Sequence, residues 1–219
     1  MKLLKKLMKS ILTLGLLGIL VFPVNAMAVE SSNIINILEP SENVIISEPM
    51  TFDEMAQLIA EDEGVSLEEA ETILGGRNST SNENVSSMSI QSTAYRTISR
   101  ILPVTTTYKP QLRYYCQTSE SGSFWGIVEI LDIQMNRYST VPGYTTVSKQ
   151  FEGSVYSQLL NGYQIKFTVN GDFYHNGTTT GGGEVSIKVT EFFTINFSIS
   201  NASSFYKYYY EEGVITTQS

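Results

Sequence analysis

The chain has 219 residues, a formal net charge of −8, one cysteine and one histidine. A lone cysteine excludes an intrachain disulfide, and one histidine, one cysteine and the nine scattered carboxylates from residue 95 onward leave no ligand cluster at zinc or calcium spacing, so no metal or other cofactor is expected. With no basic patch to neutralise phosphates, nucleic acid is excluded as a partner.

The N-terminus reads as an export signal. Lys2, Lys5, Lys6 and Lys9 form a positive region, residues 11–22 an apolar run, and Val24-Asn25-Ala26 or Ala26-Met27-Ala28 a small-residue cleavage site. The run is short for a hydrocarbon core of about 30 Å, which favours a cleaved signal peptide over residues 1–28 against a retained anchor. No cysteine near the cleavage site offers lipid attachment, and residues 213–219 contain no hydrophobic tail. The expected product is secreted, and the lysine-rich start points to a Gram-positive bacterium.

Charge then divides the remainder. Between residues 29 and 94 thirteen acidic residues face one basic residue, Arg77, whereas from Tyr95 onward there are nine of each. All thirteen tyrosines also lie beyond residue 94. This predicts two bodies with different roles. Residues 29–50, with Glu39-Pro40 and Glu48-Pro49, read as an extended acidic segment.

Residues 51–74 read as a helical hairpin and candidate pro-region. Thr51 is placed to cap a helix with Asp53 and Glu54 in its first turn, and Phe52, Met55, Ala56, Ile59 and Ala60 recur at helical spacing. Gly64 stops that helix. Ser66-Leu67-Glu68-Glu69 is a capping box, and Leu67, Ala70, Ile73 and Leu74 follow on one face up to Gly75-Gly76. So few apolar side chains cannot offset the entropy of ordering the hairpin unless it docks on something. Its end also resembles a double-glycine leader of the bacteriocin type, with Ser66, Glu69, Ile73 and the glycine pair in leader-like places. Val65 and Ala70 depart from that pattern, and a glycine C-cap is the plainer explanation. Residues 75–94, rich in serine and asparagine, read as a disordered linker.

From residue 95 the period becomes two. Leu112, Tyr114 and Cys116 alternate with polar residues, as do Ile165, Phe167 and Val169, then Val185, Ile187 and Val189, then Phe193, Ile195, Phe197 and Ile199. Weaker strands lie near 96–104, 145–151, 154–160 and 205–210. In the run 124–135 Glu129 interrupts the apolar face, which predicts a bulge near 129–131. Ser121-Gly122, Pro142-Gly143, Asn161-Gly162, Asn170-Gly171 and Asn176-Gly177 read as turns. With no helix between them, the strands must pair antiparallel. The prediction for residues 95–219 is mainly β, a two-sheet sandwich, with a barrel as the alternative.

Residues 95 to 212 resemble an uncharacterised family of secreted Gram-positive domains. The resemblance sits in Ser121-Gly122-Ser123-Phe124, Lys149-Gln150-Phe151-Glu152-Gly153, Val169-Asn170-Gly171-Asp172-Phe173-Tyr174 and Asn176-Gly177-Thr178. It implies export and a β-domain, and brings neither activity nor catalytic residues.

Chemistry is sparse. His175 ends a strand, and a hydrolase would pair it with a nucleophile such as Cys116. Cys116 alternates with Leu112 and Tyr114, however, as a buried structural cysteine does. Glu129, Glu152, Asp172 and Glu184 are the candidates for a glycosidase pair, whose separation spacing alone cannot give. Gly181, Gly182 and Gly183 form a glycine run open to close backbone approach by a ligand. Rings give the strongest signal. Tyr206, Tyr208 and Tyr210 are expected on one strand face, with Phe205 and Tyr209 on the other, and Trp125 adds an indole. The expectation is a non-enzymatic, exported binding module for a cell-surface glycan or protein, of open oligomeric state. A membrane-active antibacterial effector and an extracellular hydrolase are the alternatives.

Overall fold

The computed structural model describes residues 43–76, 92–139, 146–181, 192–201 and 204–217. The expected signal peptide, Pro142-Gly143, Gly182, Gly183, Glu184 and the strand read at 185–189 lie outside the described residues. Among those described, no helix is long and apolar enough to cross a membrane.

Among the described residues the chain is mainly β, in antiparallel sheets that do not close into a barrel, with two helices between the first and second strands. A four-stranded sheet has the order β1 (Val44–Ile46), β2 (Ser92–Ile101), β3 (Gln111–Ser121), β4 (Phe124–Asn136). A five-stranded sheet has the order β11 (Phe205–Thr216), β8 (Gln164–Tyr174), β7 (Gln150–Asn161), β10 (Phe192–Ser200), β9 (Thr178–Gly181). A ribbon of β5 (Tyr138–Ser139) and β6 (Val147–Ser148) connects them in sequence.

The main core lies between the sheets. Ile98, Leu112, Tyr114, Cys116 and Ile133 come from the first sheet, and Phe151, Val155, Phe167, Val169 and Phe173 from the second. Burial pushes the Cys116 thiol well above its ordinary pKa, so it stays a neutral apolar filler. At the sandwich edge Arg100 of β2 reaches across to Glu211 of β11 at 2.6 Å, tying the two sheets together.

The expected bulge in β4 is present, and there are two. Register skips Leu131 between Tyr115↔Asp132 and Cys116↔Ile130, and skips Val128 between Gln117↔Glu129 and Thr118↔Ile127. Ile127, Ile130 and Ile133 recur every third residue, so each step needs one extra residue to keep all three facing the core. Leu131, pushed to the other face, anchors a second core.

That second core corrects the two-body expectation. Helices α1 (Phe52–Glu63) and α2 (Leu67–Ile73) lay Met55, Ala56, Ile59, Ala70 and Leu74 over Tyr115 and Leu131, on the outer face of the four-stranded sheet. The acidic segment also supplies β1, which pairs with β2 through Val44↔Arg100 and Ile46↔Ile98, and Met50 bridges to Tyr95. Residues 92–94, read as linker, already belong to β2. The hairpin gains from the sheet the burial it lacks alone.

Both helices begin as expected. Thr51 Oγ1 accepts from the Glu54 N–H at 3.3 Å and Ser66 Oγ from the Glu69 N–H at 3.2 Å, and each glutamate reaches back to its cap backbone. After α2, Gly75 and Gly76 adopt φ of 83° and 67° and donate to Thr72 and Glu71 carbonyls, a C-cap. Thr51→Ala or Ser66→Ala should each weaken its helix by ~1 kcal/mol. Amide exchange should register this as a roughly fivefold loss of protection confined to the hairpin.

Candidate functional site

Rings and hydrogen-bonding groups converge on the outer face of the five-stranded sheet. Inward positions of β8 and β7 are taken by the core, so their alternate residues, Lys166, Thr168, Asn170, Asp172 and Tyr174 on β8 and Glu152, Ser154 and Tyr156 on β7, point away from it. Registration places Tyr208 beside Asp172 and Glu152, and Tyr210 beside Asn170 and Ser154. Phe205 lies beside Tyr174, edge to face at 6.1 Å. Phe192 of β10 tilts against Tyr156 at 5.8 Å.

The polar groups hold the rings upright. Tyr208 donates to Asn170 Oδ1 at 2.8 Å, Tyr210 to Glu212 at 3.0 Å and Tyr174 to Glu152 at 3.3 Å. Lys166 Nζ neutralises Glu212 at 3.1 Å, which holds that carboxyl below its usual pKa. Glu152 and Asp172 sit directly opposite each other on neighbouring strands. Like charges so placed favour donors and cations and repel anions.

Folding does not account for these rings. Phe205 is 59% exposed, Phe192 67%, Tyr208 52% and Tyr210 54%, so each leaves at least half of its surface in water. Phe205, Tyr208 and Tyr210 lie together at one end of the face, set in amides, hydroxyls and carboxylates, whereas Phe192 lies at the other end, opposite Gln158.

One expected member is missing from that stripe. A register shift between Phe205 and Lys207 puts two residues of β11 against one step of β8. The shift turns Tyr206 inward with Tyr209, both packed on the core, and leaves Phe205, Tyr208 and Tyr210 outside. Tyr206 instead bonds Thr105 Oγ1 at 3.1 Å and takes His175 against its ring at 4.9 Å, with Lys149 Nζ 4.7 Å from the ring centre. His175 is exposed, and its Nδ1 lies 3.2 Å from Lys149 Nζ.

Other sequence candidates are dispersed. Trp125 lies on β4 of the opposite sheet, where the Arg96 guanidinium stacks 4.6 Å from its ring centre while pairing with Glu120 at 2.9 Å. Gly181 ends β9, the edge strand farthest from β11. Cys116 is enclosed in the core and His175 stands outside it, so the two are not brought together. Of the carboxylates, Glu152 and Asp172 are neighbours, whereas Glu129 belongs to the other sheet. Among the described residues no group of three His, Cys, Asp or Glu side chains could hold a metal ion.

Sequence reasoning missed Asn170, Asp172, Tyr174, Tyr156 and Phe192 as members of the face. Alternation marked Lys166 and Thr168 of β8 as outward, but Asn170-Gly171 read as a turn, and only the continuous strand and the strand order bring Asn170, Asp172 and Tyr174 beside Tyr208 and Tyr210. Comparison with protein-family models, curated proteins and solved structures gave no match.

Proposed function

We propose that this protein is a secreted, non-enzymatic binding module that holds a cell-surface polysaccharide on the outer face of its five-stranded sheet. The supporting observation is the set of rings on one face, the exposed Phe205, Tyr208 and Tyr210 beside the half-buried Tyr174, interleaved with Asn170, Asp172, Glu152 and Ser154. Ring faces pack on the C–H faces of sugars, while amides and carboxylates take up the hydroxyls around them. Val214 and Leu160, the large exposed aliphatics of β11 and β7, lie toward the opposite end of their strands, so the rings are surrounded by polar groups. The Glu152–Asp172 pair disfavours anionic polymers and suits neutral or amine-bearing sugars.

In this reading the N-terminal segment serves by docking, covering the sheet opposite the ligand face. The resemblance of residues 95–212 to secreted Gram-positive domains fits the same setting.

The test is binding of the full mature chain to purified cell-wall polysaccharides, compared with a Tyr208→Ala/Tyr210→Ala variant. Two lost stacking contacts at ~1 kcal/mol each should lower affinity at least tenfold with little change in melting temperature. Equal binding by the variant and the parent would refute the reading.

A further inference from the structure

Charge is sorted by position among the described residues. Arg96, Arg100, Arg113 and Lys166 each pair with a carboxylate, of Glu120, Glu211, Asp62 and Glu212 in turn. The other basic side chains, Lys109, Arg137, Lys149, His175 and Lys207, form no ion pair with a described acid. They stand so far apart in sequence that no local window shows a basic patch, yet the fold gathers them at one end of the sandwich. Lys109 precedes β3 and Arg137 follows β4, where Gln111 and Asn136 are partners. Lys149 precedes β7 and His175 follows β8, where Gln150 and Tyr174 are partners, and Lys207 lies opposite Phe173 near the start of β11.

Contacts join the two sheets at this end and set the cations in place. The Arg137 guanidinium bonds Gln150 Oε1, and the Arg137 carbonyl accepts from the Tyr108 hydroxyl at 2.9 Å. Lys149 Nζ lies 4.7 Å from the Tyr206 ring centre and 5.9 Å from that of Tyr108, a cation held on two rings. His175 Nδ1 is 3.2 Å from the same Nζ. An ammonium only donates, so Nδ1 accepts and the ring hydrogen stands on Nε2. Glu152 and Asp172, the acids next along β7 and β8, point from the outer face. Arg137 and Lys149 are both half-buried, and burial without a carboxylate lowers the Arg137 pKa. Cations drawn part-way out of water with no counter-charge cost stability, so packing alone does not explain them.

We propose that this end of the sandwich is a binding site for an oxyanion, the phosphate or carboxylate group of a ligand, taken up by Lys149, His175 and Arg137. Each has donors to spare. Among the described residues Lys149 commits one of its three to His175 and Arg137 one of its five to Gln150, while His175 keeps its Nε2 hydrogen. The exposed Lys109 and Lys207 add to the positive field. A chain of net charge −8 repels a long polyanion, so the site suits a discrete oxyanion better than a nucleic acid backbone. It is separate from the polysaccharide face, whose Glu152–Asp172 pair repels anions, and either can fail without the other.

His175 is the only histidine, so its imidazole NMR signals report on this end alone. The experiment titrates the full mature chain with tripolyphosphate and, separately, with citrate, at low ionic strength and constant pH. At least one probe should shift the ring signals saturably, with a midpoint below about 1 mM. Tripolyphosphate alone assigns the site to phosphate, citrate alone to carboxylate, and both together to the chemistry the two share. Lys149→Met keeps an apolar stem on the two rings and should weaken binding at least about tenfold. Lys109→Met/Lys207→Met changes exposed side chains only and should weaken it about threefold through the lost field. No saturable shift with either probe, or parent midpoints in both variants, would overturn the site.

Discussion

Gly171→Ala should cost about 3 kcal/mol or more and lower the melting temperature by about 10 °C, or prevent folding outright. Gly171 of β8 stands directly opposite Gly153 of β7. A methyl at Gly171 would lie 2.4 Å from the Glu152 carbonyl oxygen, 2.6 Å from Phe151 Cζ and 2.8 Å from Gly153 Cα. One at Gly153 would lie 2.3 Å from the Asn170 carbonyl oxygen. These obstacles are mostly backbone, and β7 and β8 are interior strands bonded on both sides, so neither can shift alone. The Phe151 ring, packed on Phe173 at 4.9 Å and Phe197 at 5.5 Å, fills the space that the two absent side chains leave. Gly162→Ala is the control: its methyl would meet nothing closer than 3.6 Å, and stability should stay within about 0.5 kcal/mol. Thermal melts of the two variants decide it. If Gly171→Ala melts with the parent, the glycine pair is not what sets the β7–β8 spacing.

The same glycines show where sequence reading stops. Asn170-Gly171 has the composition of a turn, and Gly153 separates two short apolar runs, so both read as breaks. In the structure they are continuous strand, because each glycine answers the close approach of the other, a fact held in no local window. Features with local causes were legible: the N-cap at Thr51, the capping box at Ser66, the Gly64 and Gly75 stops, and the interruption at Glu129 that demanded a bulge. Features with non-local causes were not. The β11 bulge that turns Tyr206 inward is defined only against β8, and β1 is a strand only because β2 offers it an edge. The candidate face follows the same rule. Tyr208 and Tyr210 were visible as exposed rings on one strand, while Asn170, Asp172 and Glu152 join them only through the strand order β11-β8-β7.

Asp62→Ala should detach the hairpin from the four-stranded sheet and leave the sandwich standing. Asp62 accepts from two groups of β3: the Tyr115 hydroxyl at 2.8 Å, which also lies 3.1 Å from Gln134 Oε1, and Nη1 of the Arg113 guanidinium, whose buried Nε has no hydrogen-bond partner among the described residues. Both side chains of the ion pair are about four-fifths covered. Removing one partner strands the other charge in a place water barely reaches, at a cost of about 3 kcal/mol. Arg113 lies under the hairpin, so the protein recovers its hydration by lifting the hairpin away. Protection of residues 52–74 should then fall about a hundredfold. Strands β7 and β8, whose core lies on the other side of the sheet, should exchange as before. If the penalty is a stranded charge and not lost contact area, a second change should relieve it. Asp62→Ala/Arg113→Met, apolar on both sides, should regain most of the hairpin's protection. A double variant as loose as Asp62→Ala alone would place the hold on the hairpin in its apolar contacts, Met55 and Ile59 on Tyr115 and Leu131, and take the ion pair out of the account.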